Sequence, residues 1–144
     1  MQVDLEMPQR IAAADQHLAV VATTRADGSV QSSVVNAGVL PHPLSGKPVV
    51  AFVTYGPVKM ANLRARPAVA VTFRAGWQWA TVEGDAELLG PDDGALEPER
   101  LRQLLRDVFT AAGGQHDDWD AYDATMVAER RTAVLVTPRR VYSN

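Results

Sequence analysis

The chain predicts a mainly β fold, a small antiparallel barrel with flanking helices. Three observations carry this. Strand patterns outnumber helical ones, most neighbouring strands are joined by turns too short for a parallel crossover, and no internal repeat or low-complexity tract divides the 144 residues. Closing such a sheet removes most unpaired edges, and the helices cover its open ends. A single domain over residues 1–144 is the economical reading, since a chain this long buries roughly two-thirds of its unfolded surface around one core.

Residues 5–14 have modest helical character, with Ile11, Ala14 and Leu18 forming a short apolar stripe. Residues 17–24 are rich in β-branched side chains, Ala26-Asp27-Gly28 supplies turn chemistry, and residues 29–40 read as a second strand, so a β-hairpin is expected. Two prolines in Pro41-His42-Pro43-Leu44-Ser45-Gly46 mark a turn-rich connection before a third strand over residues 47–55. Pro57 suits the first position of a helix that ends at Arg66-Pro67, because a residue before proline is pushed out of the α region. Strands over 68–74 and 77–89 flank Ala75-Gly76, and Pro91-Asp92-Asp93-Gly94 breaks the pattern. Residues 98–112 place Leu101, Leu104, Leu105 and Val108 on one helical face until Gly113-Gly114 stops it. Asp117 or Asp118 caps the next helix, where Trp119, Tyr122 and Met126 recur at helical spacing and Arg130-Arg131 sits at the negative end. A last strand begins at Thr132 and continues to Tyr142, with a bulge or unpaired edge required at Pro138.

Composition narrows the chemistry. With 47% hydrophobic residues, a formal charge of −3 and interspersed signs, the chain is of the ordered globular class and lacks a broad phosphate-tracking surface, so nucleic acid is not an expected partner. Cysteine is absent, which excludes disulfides and thiolate chemistry. No apolar run approaches about 18 residues, and residues 1–10 carry Asp4 and Glu6 instead of a basic start, so no membrane partner and a cytoplasmic location are expected. His17, His42 and His116 lack metal-ligand spacing, and no metal is expected. There is no nucleophile elbow, zinc-protease motif or phosphate-cradling glycine loop. The aspartate pairs 92–93 and 117–118 sit where turns and helix caps use aspartate routinely.

The most informative stretch runs from Val49 to Leu63, where a β-rich run ends at Gly56-Pro57 and becomes helical. It places Lys59 in the first helical turn, beside exposed N–H groups that carry partial positive charge, where a cation costs a few tenths to about 1 kcal/mol. A bound anion would reverse that sign, so Lys59 reads as a phosphate seat; a solvated surface lysine is the alternative. Trp77 and Trp79, two apart on the expected strand, would share a face and form a flat aromatic surface for a planar ring, or would belong to the core or a dimer seam. Gln31 and Ser33 also share a strand face and could address a polar ring edge, or could be solvated. Phe52, Val53, Thr54 and Tyr55 would offer backbone groups to the same ring.

These segments resemble the pyridoxamine-phosphate-oxidase-like split-barrel flavoproteins, and more closely the actinobacterial branch that uses the deazaflavin coenzyme F420. The likeness runs through Ala26-Asp27-Gly28-Ser29-Val30-Gln31-Ser32-Ser33, the Val49–Leu63 stretch, Gly76-Trp77-Gln78-Trp79-Ala80-Thr81-Val82-Glu83-Gly84, Asp118-Trp119-Asp120-Ala121-Tyr122 and Met126-Val127-Ala128-Glu129-Arg130-Arg131. It covers nearly the whole chain from about His17 onward.

The resemblance implies a six-stranded split β-barrel with Greek-key connections, and a homodimer with two cofactor sites at the subunit interface. It implies F420 bound by Lys59, with Met60 and Asn62 at the rim, Gln31 and Ser33 at the ring edge, and Trp77 and Trp79 contributed by the second subunit. The implied activity is hydride transfer from reduced F420 to an electron-poor small molecule, with no catalytic residue assigned. An FMN-dependent oxidoreductase and a non-catalytic F420 or haem-type carrier are the alternatives. Pro57 departs from the arginine that relatives commonly place two residues before the lysine. A second cation is then expected from Arg64, Arg66 or the partner chain.

Overall fold

The computed structural model describes residues 3–144; Met1 and Gln2, the first residues of the expected domain, lie outside the described residues. The elements run α1 (Glu6–Ala14), β1 (Leu18–Thr24), β2 (Val30–Asn36), β3 (Gly38–Pro41), β4 (Pro48–Thr54), α2 (Pro57–Ala65), β5 (Ala68–Ala75), β6 (Gln78–Leu89), α3 (Pro98–Ala111), α4 (Trp119–Ala128) and β7 (Thr132–Ser143). All ladders are antiparallel, in one seven-stranded sheet of order β2-β1-β5-β6-β7-β4-β3.

The expected count of six strands is corrected to seven, because the segment read as one strand over 29–40 divides at Ala37. The Ala37 N–H leaves the ladder for the His17 carbonyl, at 2.8 Å. β2 then pairs with β1, whereas β3 pairs with β4 at the opposite edge. This one residue dictates the shape of the sheet. Laid flat, seven strands would separate their two edges by on the order of 30 Å, yet β2 and β3 are joined through Ala37 alone. The sheet therefore curls until its edges nearly meet. It does not close, since no ladder joins β2 to β3 or β4, and an open seam remains.

Apolar side chains fill both sides of this curl. Inside it, Val21, Val50, Phe52, Val71, Phe73, Val82 and Val134 pack with Ile11 of α1 and Leu63 of α2. On the outer face of β4 and β7, Val49, Ala51, Ala133 and Leu135 meet Leu104, Leu105 and Val108 of α3 and Tyr122 of α4. β4 is thus buried on both faces, which accounts for the uninterrupted run Val49-Val50-Ala51-Phe52-Val53. Asp118 caps α4 by accepting a hydrogen bond from the Ala121 N–H at 3.1 Å. Arg106 reaches from α3 to α4 and grips Asp123 with two hydrogen bonds, holding its carboxyl below the usual carboxylate range.

The bulge expected at Pro138 is present. Glu83 pairs with Arg140 while Gly84 pairs with Pro138, so Arg139 is the extra residue. A Cβ at position 84 would lie 2.0 Å from the Thr137 carbonyl oxygen. Gly84→Ala is expected to lower the unfolding free energy by about 1–3 kcal/mol, measured as a lower urea midpoint at unchanged slope.

Candidate functional site

A cleft of about 1150 Å³ opens at the seam, roomy against the ~300–1,000 Å³ of ordinary ligand sites. Val34, Val35 and Asn36 of β2 form one wall, and Val53, Thr54, Tyr55 and Gly56 form another. The third comes from the α3–α4 hairpin through Val108, Phe109, His116, Tyr122 and Met126. β3 pairs with β4 only as far as Ala51, and β7 covers only the other edge beyond it. Alternate residues from Phe52 onward therefore turn backbone N–H and C=O groups toward an open edge, as an edge-reading site requires.

Lys59 lines this cleft and is only 7% exposed. Its Nζ lies 5.6 Å from the centroid of the wholly buried Phe52 ring, and among the described residues it has no hydrogen-bond or ion-pair partner. The reading as a solvated surface lysine is corrected accordingly: Phe52 and the seam draw the side chain inward. Desolvation holds its ammonium below the ordinary lysine value. Gly56 is the N-cap and Pro57 the first helical residue, and the first intrahelical bond runs from the Met60 N–H to the Gly56 carbonyl. The N–H groups of Val58 and Lys59 consequently lie free at the helix start. A partly desolvated cation without an acid, facing the cleft beside free donors and a positive helix end, is a site suited to an anion.

The expected ring-edge residues lie on the inner face of β2, where Gln31, Ser33 and Val35 alternate; of the three, Val35 lines the cleft, and Gln31 and Ser33 lie farther along the strand outside its lining. Ser33 Oγ is buried with no hydrogen-bond partner among the described residues; such a group costs about 1–3 kcal/mol until a ligand or water satisfies it. Gln31 accepts from Thr23 Oγ1 at 3.2 Å. Thr23 in turn accepts from Asn62 Nδ2 at 3.1 Å, and Asn62 Oδ1 accepts from Arg66 at 3.4 Å. Asn62 thus ties α2 to β1 and, like Met60, does not line the cleft.

Trp77 does not share a strand face with Trp79. β6 begins at Gln78, leaving Trp77 in the Gly76 turn at 94% exposure. Trp79 lies on the outer face of β6 with its ring perpendicular to Tyr142, centroids 6.1 Å apart. Neither indole lines this chain's own cleft. Arg64 is bound by Asp93, both contacts at 3.1 Å, and Arg66 donates to the Thr24 carbonyl, so neither expected second cation reaches the cleft. Arg131 does. Its guanidinium lies over the Tyr55 ring at 3.7 Å, an arrangement that follows from the Thr54–Thr132 pairing of β4 with β7 and that local spacing could not reveal. The α3–α4 wall was likewise missed, since its residues read simply as helix faces. Tyr122 is no acid at this site, because its hydroxyl donates to the Leu105 carbonyl at 2.9 Å and burial pushes its pKa up to about 12.

A family model described as pyridoxamine 5'-phosphate oxidase matches residues 7–144. The chain belongs to the pyridoxamine 5'-phosphate oxidase family. Solved structures repeat the fold. A conserved hypothetical protein from Mycobacterium tuberculosis superposes with a TM-score of 0.68 at 22% identity, over 99% of this chain and 85% of the other. A protein named F420 reductase matches at 0.59 and 20% identity, over 88% and 90%. An FMN-binding protein related to pyridoxamine 5'-phosphate oxidase, from Nostoc punctiforme, matches at 0.62 and 12%, over 99% and 86%. At these identities the likeness is one of fold. Among the described residues of this family member, no helix is long and apolar enough to cross a membrane.

Proposed function

We propose that this pyridoxamine 5'-phosphate oxidase family member is a coenzyme F420-dependent reductase of the actinobacterial branch, working as a homodimer in the cytoplasm. The observation that carries the reading is Lys59, a largely buried side chain whose ammonium has no acidic partner among the described residues and lines a seam large enough for a tricyclic ring. In this reading Lys59 and the free N–H groups of Val58 and Lys59 hold the cofactor phosphate, and the open edge of β4 with Gln31 and Ser33 addresses the ring. The orphaned Ser33 hydroxyl fits that role. The sheet's outer face exposes Leu18, Val20, Val30 and Val34. In this reading a second copy docks there and buries them, and its Trp77 and Trp79 border the cofactor; the 94% exposure of Trp77 leaves that indole free for such a contact.

Bound in reduced form, F420 supplies a hydride from its deazaflavin C5 to an electron-poor alkene, enone or imine. The chain's contribution is orientation and exclusion of water. The Tyr122 hydroxyl is committed to the Leu105 carbonyl and supplies no proton to the product.

FMN is the competing occupant, since it carries a phosphate at the same end of its ribityl chain, as a monoester, and a ring of the same size. Parallel titration of apo-protein with F420 and FMN, followed by cofactor fluorescence, is expected to show tighter F420 binding; reduced F420 complex is then expected to turn over an enone acceptor. Preference for FMN would reassign the enzyme. Tight F420 binding without turnover of any acceptor class would make the chain a carrier.

A further inference from the structure

We propose that Arg131, held by Tyr55, is the second cationic arm of the Lys59 anion site. The inference rests on the reading that an anionic cofactor group occupies that corner. The phosphate monoester of FMN carries close to two negative charges at neutral pH and the phosphodiester of F420 carries one; Lys59 supplies a single point charge and no planar pair of donors for the phosphate oxygens. Pro57, at the first helical position, offers neither charge nor N–H.

Arg131 is the other lysine or arginine whose side chain lines the cleft. Arg64 is engaged by Asp93, Arg66 by Thr24 and Asn62, and Arg130 by Asp92. Glu129 Oε2 accepts from Nε and Nη2 of Arg131 at 3.2 and 2.9 Å, which occupies one edge of the guanidinium. Nη1 has no acceptor among the described residues, and the side chain keeps 23% exposure. The Tyr55 ring lies against the guanidinium at 3.7 Å and fixes its plane. Tyr55 immediately precedes Gly56, the N-cap of α2, so the stack ties Arg131 to the loop that presents Lys59. An arginine so placed adds planar, paired donors to the point charge of a lysine. Arg131 is thus a binding residue and Tyr55 a positioning residue.

The test reads the phosphate from FMN against riboflavin, which differ only by that group, and compares F420 with its deazaflavin chromophore, which lacks both the phosphodiester and the acidic tail beyond it. Wild type, Lys59→Met, Arg131→Gln, Tyr55→Leu and the Lys59→Met/Arg131→Gln double variant are titrated by fluorescence, with melting curves confirming the fold. Arg131→Gln is expected to raise the Kd of the phosphorylated ligand roughly tenfold or more, the loss expected of a charged hydrogen bond, and to leave the phosphate-free ligand within about twofold. Tyr55→Leu is expected to produce a smaller loss with the same dependence on phosphate. The double variant should lose less than the product of the single losses, because both groups hold one anion. If Lys59→Met weakens binding and Arg131→Gln does not, the Arg131 assignment fails and the Lys59 site stands. If neither does, or if no phosphorylated ligand binds wild type, the anion site itself is overturned and Arg131 with it.

Discussion

Lys59→Met is expected to weaken F420 binding by about 1–3 kcal/mol, roughly ten- to a hundredfold in Kd, while raising the melting temperature of the apo-protein. The two effects have one cause. In the apo-protein a partly desolvated ammonium stands near the Phe52 ring at the cleft wall with no acid among the described residues to compensate it. Methionine fills much of the same space without charge and removes the desolvation cost. With an anion present, the same charge becomes the principal attraction in a site of low dielectric. A variant that binds F420 as tightly as wild type would remove Lys59 from the site.

The pH dependence of the apo-protein carries the same signature. Desolvation depresses the Lys59 pKa below 10.5, so the unfolded chain binds more protons than the folded chain between the depressed value and 10.5. Stability therefore rises with pH across that window. Tyr122 acts with the opposite sign: burial raises its pKa from 10.0 to about 12, so its contribution is complete below pH 10 and lost between 10 and 12. Chemical denaturation of wild type is expected to show a rise toward pH 10 followed by a fall. Lys59→Met should keep only the fall, and a bound phosphorylated ligand should flatten the rise.

Phe52→Ala is expected to cost about 3–5 kcal/mol, a large share of the roughly 5–15 kcal/mol that stabilises an ordinary domain. The ring is wholly buried inside the curl, in a core built with residues of α1, α2, β5 and β7. The melting temperature should fall by roughly 10–20 °C. A fall of only a few degrees would mean that the interior repacks readily. The ring also lies beneath the Lys59 ammonium, so the surviving fold is expected to bind F420 less tightly.

Local patterns carried most of the elements. The apolar run 49–53, the proline-started helix after it, the Leu101-Leu104-Leu105-Val108 face and the Pro138 bulge each depend on neighbours within a few residues, and each is present. The errors share a different dependence. Nothing near Ala37 announces that its N–H will bond His17 while the chain crosses from one edge of the sheet to the other. Trp77 lost its place on the strand because Gly76, at φ +62°, extends the turn through it. The resemblance puts Asn62 at the pocket rim, but its amide is consumed by neighbouring Arg66 and by Thr23, which only the docking of α2 on β1 brings within reach.

By itself the sequence determined the antiparallel β class, the strand-to-helix junction, and the placement of Lys59 in the first turn of α2, because backbone propensity and side-chain period act over a few residues. Only the tertiary structure decided that the sheet curls without closing, that the resulting seam is a cleft, and that Arg131 stands over Tyr55 within it. Those outcomes rest on pairing between segments tens of residues apart, where β4 meets β7 and β2 approaches β4. Burial completes the difference: a lysine in a sequence is a charge in water, and it becomes an anion site when a fold withdraws the water and offers it no acid.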